Sequence, residues 1–415
     1  MLGGPPRAIG ACRIGVFVAL LAFLHPLRHA RFRRVWSGQA ISAIGDGISV
    51  VALAGAVLAH HSAATLGLVL GAMSVARIAV ALVGGVLADR YRRSSVMAAA
   101  DIGRLLSVLA FALGAADAPV LVPVLVALVL GFAGGIFGPA FGALVPELVP
   151  AEDLTKANAL RSITGRAGQV LGPAVGGLIL LVSDVTMAFW IDAATFAASV
   201  FTLIAVGDHK PVRHASDTII TQAKAGLVAV RERRWAYIVI VQGTLQLVLV
   251  MAPVVVLLPV LLQERHILPL YGLMFALKGL GAVFGGIVVA AWTPRRPGLI
   301  GLLGLALVGF QIFALMVNAH PVLLGASMLA TGFGYSTFGV LWVSALQRGF
   351  PTAMHGRVFA IDSLGTFALE PLGLALAPIA ALTFGNTAVL AVALVAIVAT
   401  TVVPLLRRDV RFFAD

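Results

Sequence analysis

The sequence predicts an all-α integral membrane protein whose spanning helices form two related halves. The first observation is composition: 60% of the 415 residues are hydrophobic and only 11% are charged, whereas soluble domains contain about 45–50% apolar and about 25% charged residues. The second is a mean hydropathy of +1.04. A compact soluble domain has to cover its surface with polar groups, so this apolar excess indicates a lipid bilayer as the solvent.

Apolar runs of the length needed to cross a bilayer recur twelve times along the chain. A spanning helix needs about 20 mostly apolar residues. The longest polar stretch follows the sixth run, so the runs divide six and six. The predicted spans, numbered 1 to 12 in chain order, cover residues 35–59, 65–88, 95–115, 119–143, 158–181, 186–206, 236–261, 268–292, 298–317, 321–345, 357–382 and 386–406.

The residues before span 1 contain one apolar run, Ile14–Leu24, of eleven residues. This run is too short to cross a bilayer, so we expect a cytoplasmic or interfacial extension. A signal peptide is the alternative, because Arg7 and Arg13 precede the run, although no small-residue cleavage site follows it. The predicted parts are an N-terminal extension over 1–34, a first half over 35–206, a linker over 207–235 with an amphipathic helix near 217–230, a second half over 236–406 and a tail over 407–415.

Basic residues are concentrated in alternate connections between the spans. The connections on the other side contain a single Lys or Arg, Arg265. Because basic residues mark the cytoplasmic side of membrane proteins, we expect both termini and the linker to be cytoplasmic, in a multi-pass protein of the cell (inner) membrane. Contact of these residues with anionic lipid accounts for the net charge of +12, so no nucleic-acid partner is predicted.

The two sets of six spans match each other at a constant offset of 201 residues. Arg77 falls on Lys278, and Gly131-Phe132 falls on Gly332-Phe333. The match of two cations within apolar runs is harder to obtain by chance than a match of glycines. Two six-helix halves related by an axis along the membrane normal are typical of one large class of transporters.

A tight cluster of charges interrupts the apolar sequence between spans 2 and 3. It reads Gly85-x-Leu87-Ala88-Asp89-Arg90-x-x-Arg93, which closely resembles motif A of the major facilitator superfamily. Arg92 stands where that motif usually has glycine, and Ser94 where it usually has Lys or Arg.

The resemblance implies a conformational latch, meaning contacts on the cytoplasmic side that join the halves in one conformation and break in the other. Its residues are Gly85, Asp89, Arg90 and Arg93. Asp89 is expected to meet the positive N-terminal end of span 11, and Arg93 to pair with an acid at the end of span 4, such as Glu147 or Asp153. A plain positive-inside anchor is the alternative, and it does not explain Asp89 or the glycines.

Span 5 contains a second resemblance, to motif C of exporters and antiporters in the same superfamily. Its residues are Gly168, Gly172, Pro173, Gly176 and Gly177. We expect a helix that bends at Pro173 and presents a glycine face to a partner from the other half. Generic packing of small residues is the alternative.

Three further stretches resemble the drug:proton antiporter branch of this superfamily, which includes macrolide and enterobactin exporters. They begin at Arg31, Leu144 and Leu346 and read RFRRVWSGQAISAIGDGISVVAL, LVPELVPAEDLTKANALRS and LQRGFPTAMHGRVFAIDSL. The resemblance extends from about Arg31 to Arg408, and it implies the twelve-helix fold of the superfamily.

Ionisable side chains at membrane depth are costly, at least about 2.5–3.5 kcal/mol each, and therefore mark functional candidates. The proton-coupling candidates are Asp46, Glu370, Arg77 and Lys278. Asp46 is the first candidate for the proton carrier, because span 1 lines the cavity in this superfamily and Arg77 is a cation that could approach it. Glu370 is the second candidate, with Arg77 or Lys278 as its counter-charge. Other charges in the spans are Arg166, Asp192, Asp362 and an i,i+3 pair, Asp101 and Arg104, which we interpret as structural and close to the inner surface.

The chain lacks the motifs of enzymes. No GxxxxGK[ST] loop, nucleophile elbow or metal motif occurs, the nine histidines show no ligand spacing, and the single Cys12 excludes an intrachain disulfide. No cofactor or metal is predicted. We expect a monomeric secondary transporter that exports small amphipathic molecules, of drug, macrolide or siderophore type, in exchange for protons. The alternatives are an uptake carrier or lipid flippase on the same fold, and a transport-inactive receptor or scaffold.

Overall fold

The computed structural model describes residues 24–206, 219–292, 294–351 and 354–414, and within them the side chains of 81–90, of 219–225 and of scattered other positions are not described. The described chain is helical, with no strand among its residues. This confirms the all-α membrane fold predicted from the sequence.

The helices follow the predicted spans. Spans 1 to 6 run over Ala30–His60, Ala63–Arg90, Arg93–Ala112, Leu121–Leu148, Leu154–Val182 and Val185–Ile204. Spans 7 to 12 run over Arg234–Glu264, Leu270–Ala291, Pro297–Met316, Pro321–Gly349, His355–Phe384 and Asn386–Leu405. Outside the spans lie the short helices His25–Arg28, Ala151–Asp153, Ile219–Glu232 and Arg408–Phe412.

Three of the spans are not continuous α-helices. A π-helical turn, Leu247–Met251, interrupts span 7, and span 9 breaks between Ala306 and Val308. Span 11 ends its first helix at Phe367 and begins its second at Glu370, which Pro371 follows. Because proline fits the first turn of a helix and not its interior, Pro371 determines where the second helix starts.

Eleven helices in the described residues are long and apolar enough to cross a membrane. Span 5 contributes a shorter apolar stretch, Ala167–Leu180, because Lys156, Arg161 and Arg166 occupy its first half. The helix of span 1 begins five residues before the predicted boundary, at Ala30, since its basic first turns extend beyond the apolar run. The linker carries a helix over Ile219–Glu232, close to the range predicted for it.

The main apolar contacts between the halves lie at one end of the bundle. The largest apolar cluster contains Val57 and Leu66 of the first half together with Leu257 and Tyr271 of the second. At the other end, where the described chain starts and finishes, each half has a cluster of its own: one around Phe32 and one around Trp235. We call this end the terminal side and the opposite end the far side; the halves are therefore joined on the far side.

Candidate functional site

A cavity of 270 Å³ lies among spans 1, 3, 4 and 5 of the first half. Its lining combines aromatic rings with charged and amide groups. Among the lining residues are Trp36, Gln39, Asp46, Arg104, Phe137 and Arg161. The cavity therefore presents a polar site at membrane depth, beside rings that can cover an apolar part of a ligand.

Asp46 belongs to a charge network at this cavity. Both of its carboxylate oxygens accept hydrogen bonds from Nη2 of Arg104, while Nη1 of Arg104 donates to Asp101 Oδ1 at 2.9 Å. Asp101 is fully buried, whereas the side chain of Asp46 is 47% exposed. One guanidinium thus joins a buried carboxylate to a carboxylate that faces the cavity, and only Asp46 can exchange a proton there without crossing the core.

The walls of the network are aromatic and hydroxyl-bearing. The guanidinium carbon of Arg104 lies 4.4 Å from the ring centroid of Phe196 and 5.1 Å from that of Phe137, distances at which a ring face attracts a cation. The hydroxyl of Ser199 donates to Asp101 and accepts a 2.6 Å bond from Gln39 Nε2. These contacts hold Arg104 in position whether or not Asp46 is ionised.

A second buried acid, Asp192 of span 6, lies behind span 1. It is fully buried and accepts hydrogen bonds from the hydroxyls of Ser49 and Thr195, the latter at 3.0 Å. Among the described residues, its hydrogen-bond partners are hydroxyls and not a cation, so Asp192 is a further group that could hold a proton.

The structure corrects one expected pairing and the interpretation of another. Asp46 pairs with Arg104 and not with Arg77, because spans 1 and 3 face each other inside the first half. Asp101 and Arg104 form the expected i,i+3 pair, but it is not an isolated structural pair near a surface. It lies in the core and is continuous with Asp46.

Arg161 of span 5 lines the same cavity without a carboxylate partner among the described residues. Its Nη1 atom is buried and lacks a hydrogen-bond partner there, as does Nε1 of Trp36. The guanidinium carbon lies 5.3 Å from the ring centroid of Phe141, and a Cβ at Gly142 would approach Nη1 to 3.1 Å. Two unused donors in one cavity complement a ligand with acceptor oxygens, since a buried donor without a partner is costly.

Glu370 links the two halves near the middle of the bundle. Its Oε2 atom accepts a 2.9 Å bond from Ser74 Oγ and lies 3.2 Å from Arg77 Nη2, both on span 2. Glu370 stands in the first turn of the second helix of span 11, where the helix dipole favours a negative charge. This contact between spans 2 and 11 therefore belongs to the seam between the halves.

Lys278 is not the counter-charge of Glu370. Its Nζ atom lies 5.7 Å from the ring centroid of Phe275 and 5.6 Å from that of Tyr335, and no carboxylate pairs with it among the described residues. The halves meet along two seams, one between spans 2 and 11 and one between spans 5 and 8. Although Arg77 and Lys278 occupy equivalent positions in the repeat, only Arg77 meets an acid among the described residues, because span 11 contains Glu370 whereas span 5 contains no Asp or Glu.

Motif A lies at the terminal end of spans 2 and 3. The side chains of Gly85, Asp89 and Arg90 fall outside the described residues, so the latch stays a prediction. Arg93 forms an ion pair with Glu147 at the end of span 4. It does not pair with Asp153, whose Oδ2 accepts bonds from the imidazoles of the N-terminal segment.

The glycine face of motif C packs mainly on span 1 of its own half, and it meets the expected partner from the other half only toward the far side. A Cβ at Gly172 would come within 2.6 Å of the Gly47 Cα, and one at Gly176 within 3.1 Å of the Ile48 Cα. Gly168 meets Ala43 in the same way, and Pro173 meets Gly47. Span 1 is the neighbour because it also carries glycines, so the two backbones approach closely.

Two of the motif C residues also face the second half, on the far side. Gly177 meets Gly272 of span 8, backbone against backbone, and the carbonyl oxygen of Pro173 would lie 2.7 Å from a Cβ at Gly272. On the seam between spans 2 and 11, Gly67 meets Pro378. Between spans 1 and 7, Gln263 Nε2 donates to the Leu58 carbonyl at 2.9 Å. The far side is thus closed by contacts that tolerate no added side chain at the glycines.

Some candidate residues of the folded chain were not predicted from the sequence. Arg161 lies in a basic first half of span 5 that resembled a cytoplasmic end. Our statement that the histidines show no ligand spacing was wrong, because His25 and His29 have the spacing H-x3-H that metal-binding histidines also show. Asp153 joins them only in the folded chain. The spacing of the two histidines could be seen in the sequence, whereas the approach of Asp153 to them could not.

Comparison with known proteins gives the same fold and family. The family model described as Major Facilitator Superfamily matches residues 35–369. The chain is 27% identical over 368 residues to the enterobactin exporter EntS of Shigella flexneri, covering 85% of this chain and 87% of that protein. It is 28% identical over 371 residues to EntS of Escherichia coli O1:K1 / APEC, with the same coverage.

Solved structures resemble the chain in fold. A mutant of the nucleoside transporter NupG superposes with a TM-score of 0.71 at 16% identity, covering 91% of this chain and 99% of that one. A bacterial homologue of the iron transporter ferroportin, in an inward-facing state, superposes with a TM-score of 0.67 at 17% identity, covering 91% and 98%. Given the helical architecture, motifs A and C and a family match over most of its length, this chain belongs to the Major Facilitator Superfamily and is a membrane transport protein, not an enzyme.

Proposed function

We propose that this transporter exports small amphipathic molecules in exchange for protons, by alternating access. One observation carries the proposal: the Asp46 carboxylate is half exposed in a cavity and bound to Arg104, which a buried acid holds in place. A carboxylate in a cavity that is alternately hydrated and closed binds a proton with different affinity in its two environments. That difference is what coupling of substrate to protons requires.

The conformation supports the alternating-access part of the proposal. Glycine contacts close the far side, while the terminal ends of the halves have separate apolar clusters. If basic connections mark the cytoplasm, the cavity faces the cytoplasm in this conformation. Export, as opposed to uptake, is favoured by motif C and by the EntS exporters among the relatives.

Efflux from whole cells tests the proposal. Cells that express the transporter are loaded with a panel of amphipathic compounds of drug, macrolide and siderophore type, and extrusion is followed with and without a protonophore. Extrusion that the protonophore stops supports proton-coupled export. Accumulation inside the cells supports the uptake alternative, and lipid translocation without efflux supports a flippase.

Cysteine labelling tests the predicted orientation of the chain in the membrane. In a Cys12→Ser background, Glu232→Cys on the terminal side is expected to resist a membrane-impermeant maleimide in intact cells, whereas Asp117→Cys on the far side is labelled. Both native side chains are exposed, so access through the membrane alone decides the result. Labelling of the Glu232→Cys variant without lysis would contradict cytoplasmic termini.

Arg161 is expected to bind the polar part of the substrate. A hydrogen bond to a charged donor contributes about 1.5–3 kcal/mol, so Arg161→Gln should raise the substrate concentration for half-maximal transport about tenfold to a hundredfold. The matched control is Arg348→Gln, an exposed residue outside the cavity. Equal half-saturation in the wild type and Arg161→Gln would remove Arg161 from the binding site.

The latch is expected to depend on Asp89. Asp89→Asn should lower transport per folded molecule more than it lowers the amount of folded protein in the membrane, because the predicted contact forms in one conformation only. Glu152→Gln, an exposed acid on the same side, serves as the control. Unchanged transport per folded molecule would reduce motif A to a topological anchor.

A further inference from the structure

Two histidines and an aspartate converge at the terminal side, just before span 1. His25 and His29 stand at the two ends of the turn that includes His25–Arg28, and Asp153 ends the short helix between spans 4 and 5. Asp153 Oδ2 lies 2.8 Å from His25 Nδ1 and 2.9 Å from His29 Nε2. All three candidate ligand atoms lie within 4.8 Å of one another.

The three side chains differ in their exposure to solvent. Asp153 is 1% exposed, whereas the side chains of His25 and His29 are 38% and 31% exposed. The carboxylate is therefore fixed within the protein while the imidazoles leave one side open to solvent. A metal centre with three protein ligands keeps a fourth position for water on such an open side.

The donor set has a definite chemical preference. Two imidazole nitrogens and one carboxylate oxygen suit Zn²⁺ and the neighbouring divalent transition metals, while Mg²⁺ and Ca²⁺ prefer oxygen ligands alone.

Lys156 contacts the second oxygen of the Asp153 carboxylate. Its Nζ atom lies 3.6 Å from Asp153 Oδ1, while both imidazoles face Oδ2. A partner on the remaining oxygen orients a ligating carboxylate, as outer partners do in known metal sites.

We propose that His25, His29 and Asp153 form a binding site for a divalent transition metal ion of the Zn²⁺ class. Without the ion, ring N–H groups donate to Oδ2. With it, each imidazole carries its proton on the other ring nitrogen, so that a lone pair faces the ion. The ion ties the segment before span 1 to the connection between spans 4 and 5. The site lies outside the cavity and does not depend on the proposed transport function.

Zinc titration of the purified full-length protein in nanodiscs tests the site. The protein is purified without a histidine tag, stripped with a chelator and titrated with Zn²⁺ against a chromophoric competitor. One equivalent is expected to bind in the wild type and to weaken at least about a hundredfold in His29→Ala, since loss of an outer partner alone costs 10- to 100-fold. An excess of Mg²⁺ should not displace it.

The matched control is His60→Ala. His60 Nε2 lies 2.9 Å from Asp117 Oδ1 on the far side, so it offers a histidine–aspartate pair, while the adjacent His61 contacts the Ala118 carbonyl and no three-ligand group forms there among the described residues. This variant should bind zinc like the wild type. Equal zinc binding by the wild type and His29→Ala, or an equal loss in His60→Ala, would overturn the proposal.

A measurement on the wild type covers the case in which His29→Ala fails to fold. Diethyl pyrocarbonate acylates a free imidazole nitrogen, and mass spectrometry reports the modified residue. Zn²⁺ is expected to protect His25 and His29 and to leave His60 unprotected. The same labelling of His25 and His29 with and without Zn²⁺ would refute the site.

Discussion

Asp46→Asn is expected to abolish substrate-driven proton movement while substrate binding persists. The substitution keeps the size of the side chain and its contact with Arg104 through the amide oxygen, but it removes the group that exchanges a proton. Arg104 stays in place because Asp101 also holds it, at 2.9 Å. Coupling should therefore fail without loss of the fold.

The measurement compares wild type and variant in proteoliposomes that contain a pH-sensitive dye. Substrate added on one side should drive protons across the membrane in the wild type, and in Asp46→Asn the dye signal should fall to that of empty liposomes. Exchange of labelled for unlabelled substrate, which needs no proton gradient, should continue in the variant. Retained exchange is the readout that a merely misfolded protein would lack.

Asp117→Asn provides the matched control for this prediction. It makes the same chemical change in an ion pair with His60 on the far side, outside the cavity. Its proton movement should equal that of the wild type. If Asp46→Asn moves protons normally, Asp46 has no part in coupling and Glu370, at the seam with Arg77, becomes the leading candidate.

Gly177→Ala is expected to shift the transporter away from the conformation described above. A Cβ at position 177 would lie 2.9 Å from the Gly272 carbonyl carbon and closer still to its Cα. Overpacking of this kind costs about 1–3 kcal/mol. This cost applies only while the far side is closed, so the ratio of closed to open molecules should fall about fivefold to a hundredfold.

The measurement is the distance between spin labels across the far side. In a Cys12→Ser background, labels at Ser62→Cys and Glu264→Cys report on the first and second half respectively, and Gly177→Ala should move the distribution toward longer distances. Gly165→Ala is the control: it is in the same helix, and its Cβ would meet nothing within 4 Å. Unchanged distances in Gly177→Ala would mean that the Gly177–Gly272 contact does not control closure.

The general architecture could be predicted from the sequence because it depends on local properties. In lipid every backbone group has to be satisfied within its own segment, so the length and polarity of each run indicate a helix by themselves. The charged residues within the spans, such as Asp46 and Glu370, could also be identified from the sequence, because they interrupt apolar runs. The helix ends were less certain, since Ala30–Arg34 is helical although it is basic.

The pairing of those charges was decided only by the tertiary structure. Asp46 and Arg104 are 58 residues apart, and Arg77 and Glu370 are 293 apart. Which face of a helix meets which neighbour depends on the rotation of each helix and on where small residues let backbones approach. The same reason explains why motif C lies mainly against span 1 and meets span 8 only through Gly177 and Pro173.

The sequence by itself thus determined a transporter of two six-helix halves, together with the residue types available for its chemistry. Only the folded chain shows that Asp46 pairs with Arg104 and not with Arg77. It also places Arg161 at the cavity without a carboxylate partner among the described residues. Finally, it brings Asp153 to His25 and His29. The physical reason is that apolar length is a property of one segment, whereas a charge pair is a property of two helices brought together by packing.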